Sequence, residues 1–212
     1  MAIRPAFDAL LGPGERVEGR PFTSPAATEA DAGTMREMLT RVRAVILAWG
    51  SEPPPSGSVL EHDHDGHRHW LVVPEPAALA GASDVTAVGF FGQRREGRDD
   101  RVLFDLEAQI VASFPEYARM GLLSYYDVEF AGGRYGNLIL FATPDVPPAW
   151  YENEAHERAV QISPLHYTSI RLHKGHVAGP LAGDGDLTIE RTKYLDFGDP
   201  AWRGLRQFAE AN

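Results

Sequence analysis

The sequence predicts an α+β fold whose elements run in the order β-α-β-β-α-β, and three observations predict it. A strand-like run at 85–92 is followed by an amphipathic helix at 101–114. Two further strand-like runs, 122–130 and 134–143, are joined by Ala131-Gly132-Gly133, which reads as a hairpin. Pro147-Pro148 then opens a second helix that ends before Pro164, and a last strand occupies 166–174. This is the split βαβ order.

The elements follow from the chain in turn. Residues 1–33 are rich in Gly, Pro, Ala and Thr without a sustained period and are expected to form an extended arm. From Thr34, the residues Met35, Met38, Leu39, Val42, Val45, Ile46 and Trp49 recur at spacings of three and four, which predicts a helix closed by Gly50. Thr34 is its expected N-cap, with Glu37 completing a capping box. Pro53-Pro54-Pro55 ends regular structure, and 58–73 reads as a β-hairpin turning at Asp65-Gly66, a dipeptide suited to a type I′ turn. A Pro- and Ala-rich linker follows, so the expected division is an N-terminal part, 1–80, and a main domain, 84–212. In the 101–114 helix, Val102, Leu103, Leu106, Ile110, Val111 and Phe114 form one stripe, with Asp99 or Asp100 as cap. An additional strand at 188–197 and a short helix at 202–208 complete the expectation.

Composition narrows the function classes. The 212 residues carry 20 Lys+Arg against 30 Asp+Glu, a net charge of -10, which argues against nucleic-acid binding through clustered cations. There is no cysteine, so disulfides, thiolate metal sites and cysteine nucleophiles are excluded. The longest apolar run, 44–49, is far short of the roughly 20 residues of a membrane span. Nothing at the N-terminus reads as an export signal, so the expected location is cytoplasmic, with no membrane partner.

Residues 85–177 resemble the dimeric α/β-barrel superfamily of ferredoxin-like domains, which includes small monooxygenases, stress-responsive barrel proteins and haem enzymes related to chlorite dismutase. The resemblance rests on the element order, on the two-proline helix start in DVPPAWYENEAHERAV, and on the strand after Ser163-Pro164. It implies a homodimer in which two four-stranded sheets pack face to face, with a pocket between helices and sheet in each subunit. The expected fold is thus a ferredoxin-like βαββαβ domain of the dimeric α/β-barrel type, extended by an N-terminal helix and a β-hairpin.

Two groups of residues carry candidate chemistry. In Glu61-His62-Asp63-His64-Asp65-Gly66-His67-Arg68-His69-Trp70, a two-residue turn at Asp65-Gly66 pairs His64 with His67 and His62 with His69. Strand alternation then places all four histidines on one side of the hairpin, with opposed Cβ atoms about 4.5–5.5 Å apart. Imidazoles in that pattern suit a divalent transition metal such as zinc, nickel, copper or iron. The second group is the expected pocket of the α/β unit: Tyr125, Tyr126, Asn137, His156, His166 and His173. There His156 is the candidate haem ligand or general base, and tyrosine and asparagine orient a substrate. Arg171 is expected to pair with Asp127 or Glu129.

The leading expectation is a small-molecule enzyme of oxygenase or lyase type, acting on an apolar or aromatic ligand, with haem as a candidate cofactor. The alternatives are a metal-binding or metal-sensing protein built on the four-histidine hairpin, and a non-catalytic ligand-binding dimerisation module. Phosphate loops, dinucleotide fingerprints and nucleophile elbows are absent from the sequence. His156-Glu157 starts like a zincin helix, but Val160 stands where its second histidine belongs.

Overall fold

The structure, a computed structural model, describes residues 7–64 and 66–208. Ser24 caps the first helix, accepting from the Ala27 amide, and Pro25 sits in the first turn, so α1 (Pro25–Trp49) starts nine residues before Thr34. Thr34 lies inside that helix and returns its hydroxyl to the Ala30 carbonyl. The extended arm expected over 1–33 therefore ends at Ser24. A Ser-Pro cap followed by alanines favours helix without any apolar period to betray it. Within the arm, β1 (Ala9–Leu11) is a short strand.

The predicted hairpin is formed by β2 (Ser58–His64) and β3 (His67–Val73), in the register the turn requires: His62 opposite His69 and His64 opposite His67. Gly66 has the positive φ, +75°, that such a turn needs; Asp65 lies outside the described residues. A short α2 (Pro76–Ala80) leads into β4 (Ser83–Arg94), and α3 (Arg101–Ala112) is followed at once by α4 (Phe114–Ala118). The hairpin β5 (Leu122–Glu129) and β6 (Arg134–Phe141) comes next. The second helix is broken at Asn153 into α5 (Pro148–Glu152) and α6 (Glu154–His166). The break supplies a new cap, the Asn153 side chain accepting from the His156 amide, and Pro164 is accommodated in the last turn of α6. The chain ends in β7 (Tyr167–Pro180), β8 (Leu187–Asp196) and β9 (Trp202–Gln207). The last of these was expected as a helix. Its alternation instead buries Gly204 and Arg206 beside β8.

All nine described strands join one sheet, in the order β1-β9-β8-β7-β4-β6-β5-β3-β2, with β1 parallel to β9 and every other pair antiparallel. This corrects the expected fold class. The chain does not form a small ferredoxin-like βαββαβ domain with an appended helix and hairpin. Strands β7, β4, β6 and β5 lie at the centre of a larger mixed sheet, whose open sides are taken up by β3 next to β5 and by β8 next to β7. Pairing both sides satisfies edge amides and carbonyls that a four-stranded sheet would leave exposed. The same sheet and the same core run through residues on both sides of the 80/84 division.

The barrel expectation fails for a second reason. One face of the sheet is covered by α3 to α6, through clusters centred on Phe114, Tyr117 and Trp150 and on Leu106, Ala155 and Ile162. The opposite face, which the resemblance assigns to a second subunit, is covered by α1 of the same chain. Met35, Met38, Leu39, Val42 and Ile46 pack there on Val85, Ala87, Phe91, Tyr126, Leu138 and Leu140. Full burial of each such side chain contributes about 1.5–3 kcal/mol, so α1 is firmly held on that face. Among the described residues no helix is long and apolar enough to cross a membrane.

Candidate functional site

Alternation along β5 sends Tyr125 and Asp127 to the α3–α6 face and Tyr126 to the α1 face. The register sets Asp127 between Asn137 of β6 and Trp70 of β3. Above it, α3 turns Glu107 inward with Leu103, Leu106 and Ile110, a carboxyl in an otherwise apolar stripe. One oxygen of Glu107 accepts the hydroxyls of Tyr125 and Tyr135 at 3.0 and 2.7 Å. The Asn137 amide nitrogen approaches the Tyr125 hydroxyl at 3.5 Å.

Asp127 and Asn137 are 5% and 7% exposed. Both carboxyl oxygens of Asp127, and Oδ1 of Asn137, are buried without a hydrogen-bond donor. Such groups cost about 1–3 kcal/mol each when left unpaired. Burial holds the Asp127 carboxyl well above the ordinary carboxylate range, and the neighbouring Glu107 adds to this, while the Tyr135 and Tyr125 hydroxyls act in the opposite direction. The shift favours the protonated form of Asp127, which can donate where a carboxylate could only accept. Burial also raises Tyr125 and Tyr135 well above ordinary phenols, so both remain hydroxyls.

At the end of β4, Arg94 borders this group. Its guanidinium lies over Tyr135 and Phe104, with centroid distances of 5.2 and 5.3 Å, and pairs with Glu129 at 2.8 Å and Asp100 at 3.4 Å. His166 continues the chain of contacts, its Nδ1 3.2 Å from Asp100.

Of the six expected pocket residues, the structure brings Tyr125 and Asn137 together and places His166 at the border. The other three stand elsewhere. Tyr126 projects to the α1 face, its hydroxyl 3.1 Å from His69 Nδ1. His173 is also on that face, buried between Asp31 and Thr192 at 3.0 and 2.8 Å. His156 packs on Trp150 at 5.6 Å and on Tyr151 at 6.1 Å; burial lowers its pKa, and Trp150 and Phe114 intervene between it and Tyr125. The expected pairing of Arg171 with Asp127 or Glu129 is replaced by a two-pronged pair with Asp31 of α1. Arg171 and Asp127 point to opposite faces of the sheet, which forbids the expected contact. Sequence reasoning missed Glu107 and Tyr135. The signal for Glu107 was a charge inside the helix stripe; for Tyr135 it was its alternation with Asn137 and Ile139.

The histidine hairpin forms a separate feature. Its histidine-bearing face turns toward α1, and His64, His67 and His69 face Thr34, Glu37 and Arg41 across a recess of about 60 Å³. The His64 and His69 rings stand 6.1 Å apart, His67 packs edge-on to Phe130, and Nδ1 of His67 is buried without a partner. Among the described residues no three His, Asp or Glu side chains are grouped to hold a metal ion. The side chain of His62 lies outside them.

No family model matches the sequence, and no curated protein matches it. Among solved structures, the NE2512 protein of unknown function from Nitrosomonas europaea is similar at 16% identity with a TM-score of 0.36, over 46% of this chain and 92% of that one.

Proposed function

We propose that the protein is a small-molecule enzyme whose chemistry is proton transfer, of lyase or isomerase type, at Asp127 and Glu107. The observation that carries this is the buried Asp127 carboxyl, without a donor of its own, beside Asn137 Oδ1 in the same condition. A protonated Asp127 serves as general acid. Glu107 is the base: the Tyr125 and Tyr135 hydroxyls hold its carboxylate, and on taking the proton it becomes a neutral acid.

The ligand class this reading calls for is small, bears at least one hydrogen-bond donor for Asn137 Oδ1, and is otherwise flat and apolar. Trp70 and Phe114, with rings 6.3 and 5.3 Å from that of Tyr125, border the group. The compartment that goes with this reading is the cytoplasm.

The test does not require the net reaction to be known. Enolisable carbonyl compounds and small aromatic acids are incubated with the protein in deuterated water, and loss of C–H signals is followed by proton NMR. Wild-type protein is expected to catalyse exchange into one structural class of compound, and Asp127→Asn to slow it by about 10²–10⁴-fold. Compounds that bind without exchanging would make the site a binding pocket instead. Exchange that survives both Asp127→Asn and Glu107→Gln would remove these residues from the chemistry.

A further inference from the structure

We propose that the recess between the hairpin and α1 binds one divalent transition-metal ion, with His64 and His67 as imidazole ligands. This is independent of the proton-transfer site, which lies on the other face of the sheet.

The argument begins with register. His64 and His67 are directly opposed across the β2–β3 ladder, so their Cβ atoms are about 4.5–5.5 Å apart and two imidazoles can close on one ion. His67 has a buried Nδ1 with no protein partner, and a metal ion supplies one. His64 is exposed and stands directly across the ladder from His67. His69 stands behind the pair, its ring 6.1 Å from that of His64 and its Nδ1 3.1 Å from the Tyr126 hydroxyl. A ring nitrogen bonded in this way fixes the orientation of an imidazole, as outer partners do in metal sites generally.

From the helix side, Glu37 faces the recess and adds a carboxylate to it. Imidazole with carboxylate suits zinc, nickel and copper better than the hard alkaline-earth ions. The described side chains do not already surround one point, so the ion assembles its own site. Binding would fasten the hairpin tip to α1.

The test uses tag-free full-length protein, with zinc, nickel and copper ions as separate probes, by calorimetric titration and by melting temperature. One site per chain is expected, with affinity reduced at least tenfold by His64→Ala and by His67→Gln, and unchanged by His156→Ala. His64 is exposed, so its variant tests the site without disturbing the core. Absence of binding overturns the proposal. So do several weak equivalent sites, or binding indifferent to His64 and His67, either of which marks adventitious histidine coordination only. A melting temperature raised by inorganic phosphate and by none of the metals would overturn it too, in favour of an anion site at Arg41. Loss of affinity in His62→Ala alone, with both named variants unaffected, would also overturn the ligand assignment.

Discussion

His173 Nε2 lies 3.0 Å from Asp31 Oδ2, and this contact fastens α1 to the centre of the sheet. Both residues are 1% exposed. Arg171 holds the same carboxylate, and Thr192 takes the other nitrogen of the imidazole at 2.8 Å. Burial pushes the Asp31 carboxyl up, but hydrogen bonds from His173 and Arg171 outweigh it and leave the group below its ordinary value. Burial lowers His173 as well, and Asp31 only partly offsets that.

Asp31→Ala should therefore cost about 3–5 kcal/mol in urea unfolding, because Arg171 is left buried without its carboxylate. The pH dependence has a definite sign. Below the ordinary histidine value of 6.5, the unfolded chain takes up a proton that folded His173 refuses, so stability falls as pH drops from about 6.5. Asp31 adds a further loss only below its ordinary 3.8. His173→Gln should flatten the first of these losses. Equal slopes for variant and wild type between pH 7.5 and 5 would contradict it.

Asp127 should act in the opposite direction. Its folded value is raised, so its contribution to stability is complete below the ordinary 3.8 and is lost as pH rises. Asp127→Asn, an amide that needs no proton, should become more stable relative to wild type as pH increases, by about 1.4 kcal/mol for each unit within the titration window. Glu107→Gln should bring Asp127 back toward ordinary carboxylates, because it removes the neighbouring charge. The protonated-carboxyl band in infrared spectra, followed against pH, checks this: it is expected to persist to higher pH in wild type than in Glu107→Gln.

Arg206, which is fully buried, donates to the carbonyls of Gly12 at 3.1 Å, Thr23 at 2.9 Å and Glu15, and to the Tyr194 hydroxyl at 2.6 Å. Arg206→Met preserves bulk and strips those acceptors of their donor. A loss on the order of 3 kcal/mol is expected. Limited proteolysis should cut first between residues 12 and 23, and cutting elsewhere would show that the arm is held by other means.

Two glycines in the sheet should respond unequally to alanine. A Cβ at Gly89 would meet Met35 Sδ at 2.5 Å, a flexible side chain that can yield at a cost of about 1–3 kcal/mol. A Cβ at Gly175 would collide with the Thr188 carbonyl oxygen, and that backbone cannot yield without breaking the β7–β8 ladder. Gly175→Ala should give the lower melting temperature of the two.

Much of this arrangement was legible in the residues. The hairpin register followed from Asp65-Gly66, and alternation alone put Tyr125 and Asp127 on one side of β5 and Tyr126 on the other. What escaped was long-range. Nothing local in β3 says that Trp70 will lie beside Asp127, and nothing in α1 says which sheet face its methionines will cover. The start of α1 was missed because Ala-rich segments carry helix propensity without periodicity. The 202–208 segment misled because six residues can fit either period, and only pairing with β8 decides between them. Glu107 was hidden by the rule that charges on helices face water, which a carboxyl turned onto Tyr125 and Tyr135 breaks.

The apolar layer laid down by Met35, Met38 and Val42 has a consequence for mass action. A sheet face covered by a separate subunit is uncovered on dilution, whereas one covered by a helix of the same chain is not. The melting temperature of the central strands should consequently be the same at nanomolar and at millimolar protein.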